Sequence, residues 1–545
     1  MDINGFGTRR AMLKAGVAIV ALTTAGGVLA ACDNKTDVAA TPAAPPPPPA
    51  PVATTKAGKV KGAVEDGVNV FKGVRYGADT SKYRFGPPQP PEPWTDVKDA
   101  LAYGASTPQN PAGNGGGLFV SWRPEPQPPQ SEDCLFLNVW TQGLDDKKRP
   151  VMVWFHGGGF TTGSGSSRAY DGVRLAKRGD VVVVTVNHRL NVLGHLNLAK
   201  YGAEFADSGA AGSMDMVHAL KWVKDNIASF GGDPGKVLIF GQSGGGAKIC
   251  TLLAMDSAKG LFHRAVIHSG PRIKHATQEE SGKAADAFIA KLGLTKANIA
   301  EIKTKPVADL LKAMIDVPAA GSGPVLDKRS ITRHPFDPDS PSVSNSVPVM
   351  IGCTRTEGTS LVPAGEKPFD ITWETLPAAL KKSFPDKDPA KIIAAYKKDL
   401  PNVEAPELWF MATSDARFFQ NSVTIADRRS KAAGAAPIYF YELDWVTPVM
   451  GGKRYVPHAL DIGLVFDNVA KSETMSGTGP DAQQMADIMS ETWLSFTKTG
   501  DPNNAKVPMW PAYTAKDRPM MVFKLKPAIE NDVRKDERAL TAAKA

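Results

Sequence analysis

The sequence predicts an α/β fold built on one large, mostly parallel central sheet flanked by helices. Three observations carry that expectation. Short apolar runs at 134–140, 150–155, 181–186, 237–240 and 265–268 read as strands, and 181–184 is valine four times over, the composition of a strand buried on both faces. Between them, Met216, Ala219, Leu220, Val223 and Ile227 recur at helical spacing, so 215–229 reads as a helix. Strands that alternate with helices imply crossover connections and parallel pairing. The third observation is the stretch 237–246, Val-Leu-Ile-Phe-Gly-Gln-Ser-Gly-Gly-Gly, followed by a helix over 247–254. A Gly-Xaa-Ser-Xaa-Gly turn between a buried strand and a helix forms a tight, strained elbow that exposes the serine hydroxyl above the sheet, with the helix N-terminus behind it. The competing reading of the same residues is a glycine-rich loop without chemistry.

The other elements follow in order. Residues 60–64 and 68–74 alternate around Glu65-Asp66-Gly67 and read as a hairpin or short edge sheet. Residues 84–94 are irregular from their proline content. Residues 107–131 form a long Gly/Pro-rich loop carrying Phe119 and Trp122. Beyond about residue 275 the pattern turns helical, with helices expected over 284–292, 307–315 and within 370–430. Strands are expected at 347–352 and 438–443, and an amphipathic helix at 482–497. No repeat or second linker divides this body.

Composition sets limits. A chain of 545 residues can bury a large core. The net charge of +8 is scattered, with no basic run interleaved with aromatics, which argues against a nucleic-acid partner. Four cysteines do not make a disulfide scaffold, and no Cys-Xaa-Xaa-Cys or His-Glu-Xaa-Xaa-His spacing suggests a metal. No metal or organic cofactor is expected.

The N-terminus has its own logic. Arg9-Arg10 precede a weakly apolar run from Ala15 to Ala31 that ends Leu29-Ala30-Ala31-Cys32. The run is short and mild for a membrane span and reads as an export signal. Residues 1–31 are therefore expected to be a twin-arginine signal peptide ending in a lipobox. Cys32 would be the lipid attachment site, holding the protein to a membrane on its periplasmic or outer side. An ordinary cleaved signal, leaving a soluble periplasmic protein, is the alternative. Residues 32–55, rich in Ala and Pro with five prolines at 45–49, form an extended linker. Residues 56–545 are then the catalytic domain.

Acyl transfer by a serine requires a nucleophile, a base, an acid that orients the base, and N–H donors aimed at the developing oxyanion. Ser243 is the candidate nucleophile. His156-Gly157-Gly158-Gly159, at a strand end upstream, offers backbone N–H groups free of Cβ interference. When the order is serine, acid, histidine, His263, His268 and His275 come too soon after Ser243, and His334 could pair only with a group such as Asp327. His458, in a loop after the strand at 438–443, remains. Glu357, just after the strand at 347–352, is the candidate acid, though a lone loop glutamate is as readily a solvated one.

With these residues assembled, the sequence resembles the type-B carboxylesterase/cholinesterase family of the α/β-hydrolase fold, from about Gly58 to the C-terminal helix. The stretches that carry the likeness are Ser131–Trp140, His156–Phe160, Ala219–Ile227, Phe230–Pro234, the elbow, Thr354–Gly358 and His458 to Phe466. The resemblance implies helical insertions that cap the active site. It also implies Ser243 as nucleophile, His458 as general base and then acid, Glu357 as its orienting carboxylate, and an oxyanion hole of Gly158, Gly159 and Gly244. It further implies ion pairs of Arg84 with Glu132 and of Arg189 with Asp233.

The departures are as informative. Gln242 stands where the family usually has Glu, and Gly245 replaces a common Ala. Cys134 matches a half-cystine whose partner would fall near Thr107, where there is no cysteine, so a looser rim at 110–128 is expected. Cys250 and Cys353 are either buried thiols or a bridge. The function so implied is a serine carboxylic-ester hydrolase acting on a small-molecule ester. A catalytically inactive cholinesterase-like binding protein is the competitor from another class. An amidase, thioesterase or acyltransferase would share the machinery. Substrate choice is assigned to residues near 107–131 and 360–420 and to Phe160 and Trp445.

Overall fold

The computed structural model describes residues 49–111, 117–363 and 365–542. The expected signal, Cys32 and most of the expected linker lie outside the described residues, as do 112–116 of the expected rim. The first strand of the folded body, Val52–Thr54, already lies inside the stretch assigned to the linker.

Eleven strands build the central sheet: β1 (Ala63–Glu65), β2 (Val68–Arg75), β3 (Phe136–Thr141), β4 (Arg149–Phe155), β5 (Val182–Val186), β6 (Gly232–Gln242), β7 (Arg264–His268), β8 (Val349–Thr354), β9 (Ile438–Leu443), β10 (Pro519–Phe523) and β11 (Ala528–Asn531). Their spatial order is β11-β10-β9-β8-β7-β6-β4-β5-β3-β2-β1. The seven strands from β10 to β5 are parallel to their neighbours, and the outer strands pair antiparallel. This is the architecture of the α/β-hydrolase fold.

All five residues of β5 are buried, as its unbroken β-branched run requires. One face packs under the helices Ala211–Asn226, Gly244–Ala254 and Gln420–Ser430. The other packs under Val173–Gly179, Leu460–Val465 and Pro480–Thr499. Residues after β7 and after β8 form two further helical clusters with their own apolar interiors.

Three expectations change. The run at 60–64 is not one strand. It breaks at Gly62, with Lys59–Lys61 joining a separate three-stranded sheet and β1 pairing with β2. A Cβ at position 62 would lie 2.4 Å from the Val70 carbonyl oxygen, so the chain passes there only as glycine. Arg84 does pair with Glu132, at 2.8 Å from Nε. Arg189, however, pairs with Asp215, through Nε at 2.8 Å and Nη2 at 2.7 Å, with its own backbone N–H adding a third bond at 2.9 Å. Asp233 instead faces Lys236. Asp215 is itself fully buried, where a carboxylate needs a cation. Asp233 is more exposed and has water. Finally, β10 and β11 were not foreseen: β10 is Pro-Met-Met-Val-Phe, a weak strand signature by composition.

Candidate active site

The elbow has the geometry its glycines suggest. Ser243 sits between β6 and the helix Gly244–Ala254 at φ 58°, ψ −121°, a strained conformation for a residue with a side chain. Its N–H donates to the His268 carbonyl at 2.8 Å and its carbonyl accepts from Ala247 at 3.0 Å, so the turn is held from both ends. The glycine beside it is required by close packing. A Cβ on Gly244 would lie 2.1 Å from the Gly159 carbonyl oxygen and 2.4 Å from its nitrogen. At Gly245 a Cβ would meet the Phe155 carbonyl at 2.1 Å, which explains the absence of the common alanine.

The elbow helix therefore starts directly against the loop after β4. Gly158 and Gly159 adopt φ of 86° and 62° there. The N–H groups of Gly158, Gly159 and Gly244 donate to no acceptor among the described residues. Gly159 and Gly244 face the cavity above Ser243, and Gly158 lies one residue back from its wall. Behind this loop the structure places a residue that the sequence reading passed over. Lys248, fully buried on the elbow helix, donates from Nζ to the His156 carbonyl at 2.8 Å. Burial brings its pKa down to about 7. His156 and His188 stack 5.0 Å apart beside it, and burial, with the lysine charge adding to it, keeps both well below the ordinary histidine range.

His458 follows β9, between Val456-Pro457 and the helix Leu460–Val465. Glu357 opens a short turn just after β8. β8 and β9 are neighbours in parallel register, so the two loops leave the sheet side by side. Thr356 ties them, its Oγ1 donating to the Val456 carbonyl at 3.0 Å and accepting from the Val456 N–H at 2.8 Å. The result is a short hydrogen bond between His458 Nδ1 and Glu357 Oε2, with Glu357 wholly buried. The other carboxylate oxygen accepts from the Thr354 N–H at 2.9 Å. Phe418 packs on the imidazole at 5.3 Å between ring centres.

The far side of the ring shows something sequence could not. His458 Nε2 lies 3.1 Å from the carboxamide nitrogen of Gln242. With Nδ1–H directed to Glu357, Nε2 carries a lone pair and the carboxamide donates to it. Ser243 Oγ has no hydrogen-bond partner among the described residues, and Ser243 and His458 line one cavity of about 690 Å³.

That cavity takes its walls from the elbow and glycine loop, from Ser269–Lys274 after β7, and from Leu361, Arg417 and Phe418 of the insertions. Phe160 lines it; Trp445 is buried elsewhere in the core. No described residue of 107–131 lines it. That loop's root is tied down: Gln109 exchanges two bonds with Gly163, at 2.6 and 3.0 Å, and Asn191 donates to the Pro108 carbonyl at 2.8 Å. Thr107 takes the place of the missing half-cystine, with Oγ1 3.3 Å from the sulfur of Cys134. Cys134, Cys250 and Cys353 are all buried free thiols. No cluster of metal-ligating side chains occurs among the described residues.

A strained serine elbow on an α/β-hydrolase sheet, with glycine N–H groups and a histidine–carboxylate pair converging on one cavity, defines a serine hydrolase. Residues 49–541 match the model of the carboxylesterase family. The para-nitrobenzyl esterase of Bacillus subtilis is 35% identical over 499 residues, covering 89% of this chain and 97% of that protein. The phenmedipham hydrolase of Pseudarthrobacter oxydans is 33% identical, covering 87% and 94%. Among solved structures, the carboxylesterase EST55 of Geobacillus stearothermophilus superposes with a TM-score of 0.78 at 35% identity, covering 90% of this chain and 99% of its own. The chain belongs to the carboxylesterase family and is a carboxylic-ester hydrolase.

Proposed function

We propose that Ser243, His458 and Glu357 are the catalytic triad of this esterase. The observation that supports it best is the His458–Glu357 hydrogen bond, which leaves the imidazole's other nitrogen lone pair on the side of the elbow. Glu357 holds the tautomer with hydrogen on Nδ1. His458 Nε2 then takes the Ser243 proton as Oγ attacks the ester carbonyl. For this, Nε2 exchanges the Gln242 carboxamide for the serine hydroxyl, as catalytic hydrogen bonds tighten once substrate is bound. The oxyanion forms against the N–H groups of Gly159 and Gly244, with Gly158 as a third donor, each worth about 3 kcal/mol of barrier. His458 gives its proton to the departing alcohol, and water repeats the sequence on the acyl-enzyme.

Ser243→Ala tests the assignment: turnover of p-nitrophenyl acetate should fall by three or more orders of magnitude, as expected from loss of a triad nucleophile. Wild-type turnover in that variant would remove Ser243 from the mechanism. No turnover by the unmodified protein would favour a binding role.

We also propose that the chain is exported through its twin-arginine signal and held to a membrane by lipid on Cys32. The motif order Arg9-Arg10, apolar run, Leu29-Ala30-Ala31-Cys32 supports this. Cys32→Ser should move the protein from the membrane to the soluble fraction.

A further inference from the structure

The cavity beside Ser243 is lopsided in charge. Arg272, Lys274 and Arg417 line it, and no aspartate or glutamate does. Of the three, Lys274 is already paired, with Asp337 at 3.3 Å. The two arginines are not. The Arg272 guanidinium makes no hydrogen bond and no ion pair among the described residues, and its Nε is buried without a partner. Among the described residues its one cation–π contact is the ring of Phe160, 6.0 Å away. On the same ring, 5.7 Å from its centre, lies Nζ of Lys248, which also has no carboxylate partner among the described residues. Arg417 is exposed at the mouth and stacks on Phe418, the residue that packs against His458.

A half-buried guanidinium without an acceptor is costly to keep. Its Nε has lost water and gained no partner, and burial lowers its pKa. Partnerless arginines inside proteins are rare for that reason, and one placed on the wall of a catalytic cavity has its natural partner in a ligand. The acceptor must be planar and anionic to use the fork. Ester hydrolysis itself needs no such group, since the glycine N–H donors already serve the oxyanion.

We propose that this esterase is selective for esters that carry a second, free carboxylate, and that Arg272 is the subsite that binds it, with Arg417 adding to the positive field at the entrance. Half-esters of dicarboxylic acids and acyl esters of hydroxy acids are the two classes that meet this description. The proposal rests on the ester-hydrolase activity of the chain and goes beyond it to the substrate.

Two matched pairs test it. Monoethyl adipate against ethyl hexanoate places the charge on the acyl side, and 4-acetoxybenzoate against phenyl acetate places it on the alcohol side. The readout is the ratio of kcat/KM, anionic over neutral, within each pair, so that a general loss of activity cancels. The full-length protein should favour the anion in at least one pair, by about tenfold for one charge-assisted contact, and the preference should shrink in high salt. Arg272→Met should bring that ratio to near one, chiefly through KM, and Arg272→Lys should retain part of it. A ratio of one or less in both pairs overturns the proposal, as does a preference that survives Arg272→Met. Hydrolysis of an anionic ester with none of its neutral match supports the proposal, whereas turnover of p-nitrophenyl acetate with none of the four esters overturns it; loss of p-nitrophenyl acetate turnover as well is failure of the esterase reading itself.

Discussion

Glu357→Gln isolates the orienting role of the acid without changing its shape. In the structure Glu357 is fully buried, one oxygen accepts from the Thr354 N–H at 2.9 Å and the other accepts from His458 Nδ1–H. A glutamine would keep its carbonyl oxygen on the Thr354 N–H, because a carboxamide NH2 placed there would face another donor. That turns the NH2 group towards His458 Nδ1, which must then accept. The imidazole hydrogen moves to Nε2, where it donates to Gln242 or to Ser243, and the lone pair that should take the serine proton is gone. The same tautomer error at other serine triads costs about 10⁴ in kcat, or roughly 5.5 kcal/mol of barrier. Here kcat for p-nitrophenyl acetate should fall by about 10³–10⁴ with KM changed far less, since the carboxylate does not touch substrate. Circular dichroism separates this from misfolding. A variant that keeps a tenth or more of kcat while folded would refute the reasoning, because another group would then be orienting His458 or another histidine would be the base.

Three other outcomes follow from the same geometry. Gln242→Glu puts a carboxylate about 3 Å from His458 Nε2. It favours the protonated imidazole, so the acid limb of the kcat/KM profile should move to higher pH by about 1–2 units; an unmoved limb would mean that Gln242 does not face the working base. Lys248→Met removes a group whose folded pKa of about 7 lies below its unfolded value of 10.5. The unfolded chain binds the extra proton between those values, so the native lysine weakens the fold most at and below pH 7 and progressively less towards pH 10. The variant should melt higher than the parent at pH 7, with an advantage that shrinks by about 3 kcal/mol by pH 10, and a pH-independent difference in melting temperature would contradict the assigned cause. Thr107→Cys should form a disulfide with Cys134, since Oγ1 already lies 3.3 Å from that sulfur. Closing this loop should raise stability by about 3.5 kcal/mol on the chain-entropy estimate, visible as a melting-temperature gain abolished by reductant and as a cross-linked peptide in mass spectrometry.

Much of this molecule is legible in order along the chain. The valine run, the helical stripe from Met216 to Ile227 and the glycine-flanked serine are local patterns, and β5, the helix Ala211–Asn226 and the elbow appear where those patterns place them. His458 and Glu357 could be nominated because each follows a recognisable strand. The rest was hidden for physical reasons. Lys248 sits in a helix at a position where nothing in the sequence marks it as buried; its depth follows from the close approach of that helix to the end of β4 and its loop, which Gly244 and Gly245 permit. β10 was missed because a Pro-Met-Met-Val-Phe run gains its strand geometry from pairing with β9 and β11 rather than from propensity.

Sequence alone determined the class of chemistry, since an elbow, a glycine-rich loop and a late histidine are requirements of backbone conformation and residue type that a few consecutive positions can state. Tertiary structure alone decided which partner each charge meets. Arg189 found Asp215 and not Asp233, the Gln242 carboxamide came to rest on the imidazole, and Arg272 was left with no acid among the described residues. Electrostatic partnership depends on distances between segments that lie 26 residues apart in one pair and 216 in another. Those distances are set only when the sheet closes and its loops meet above it.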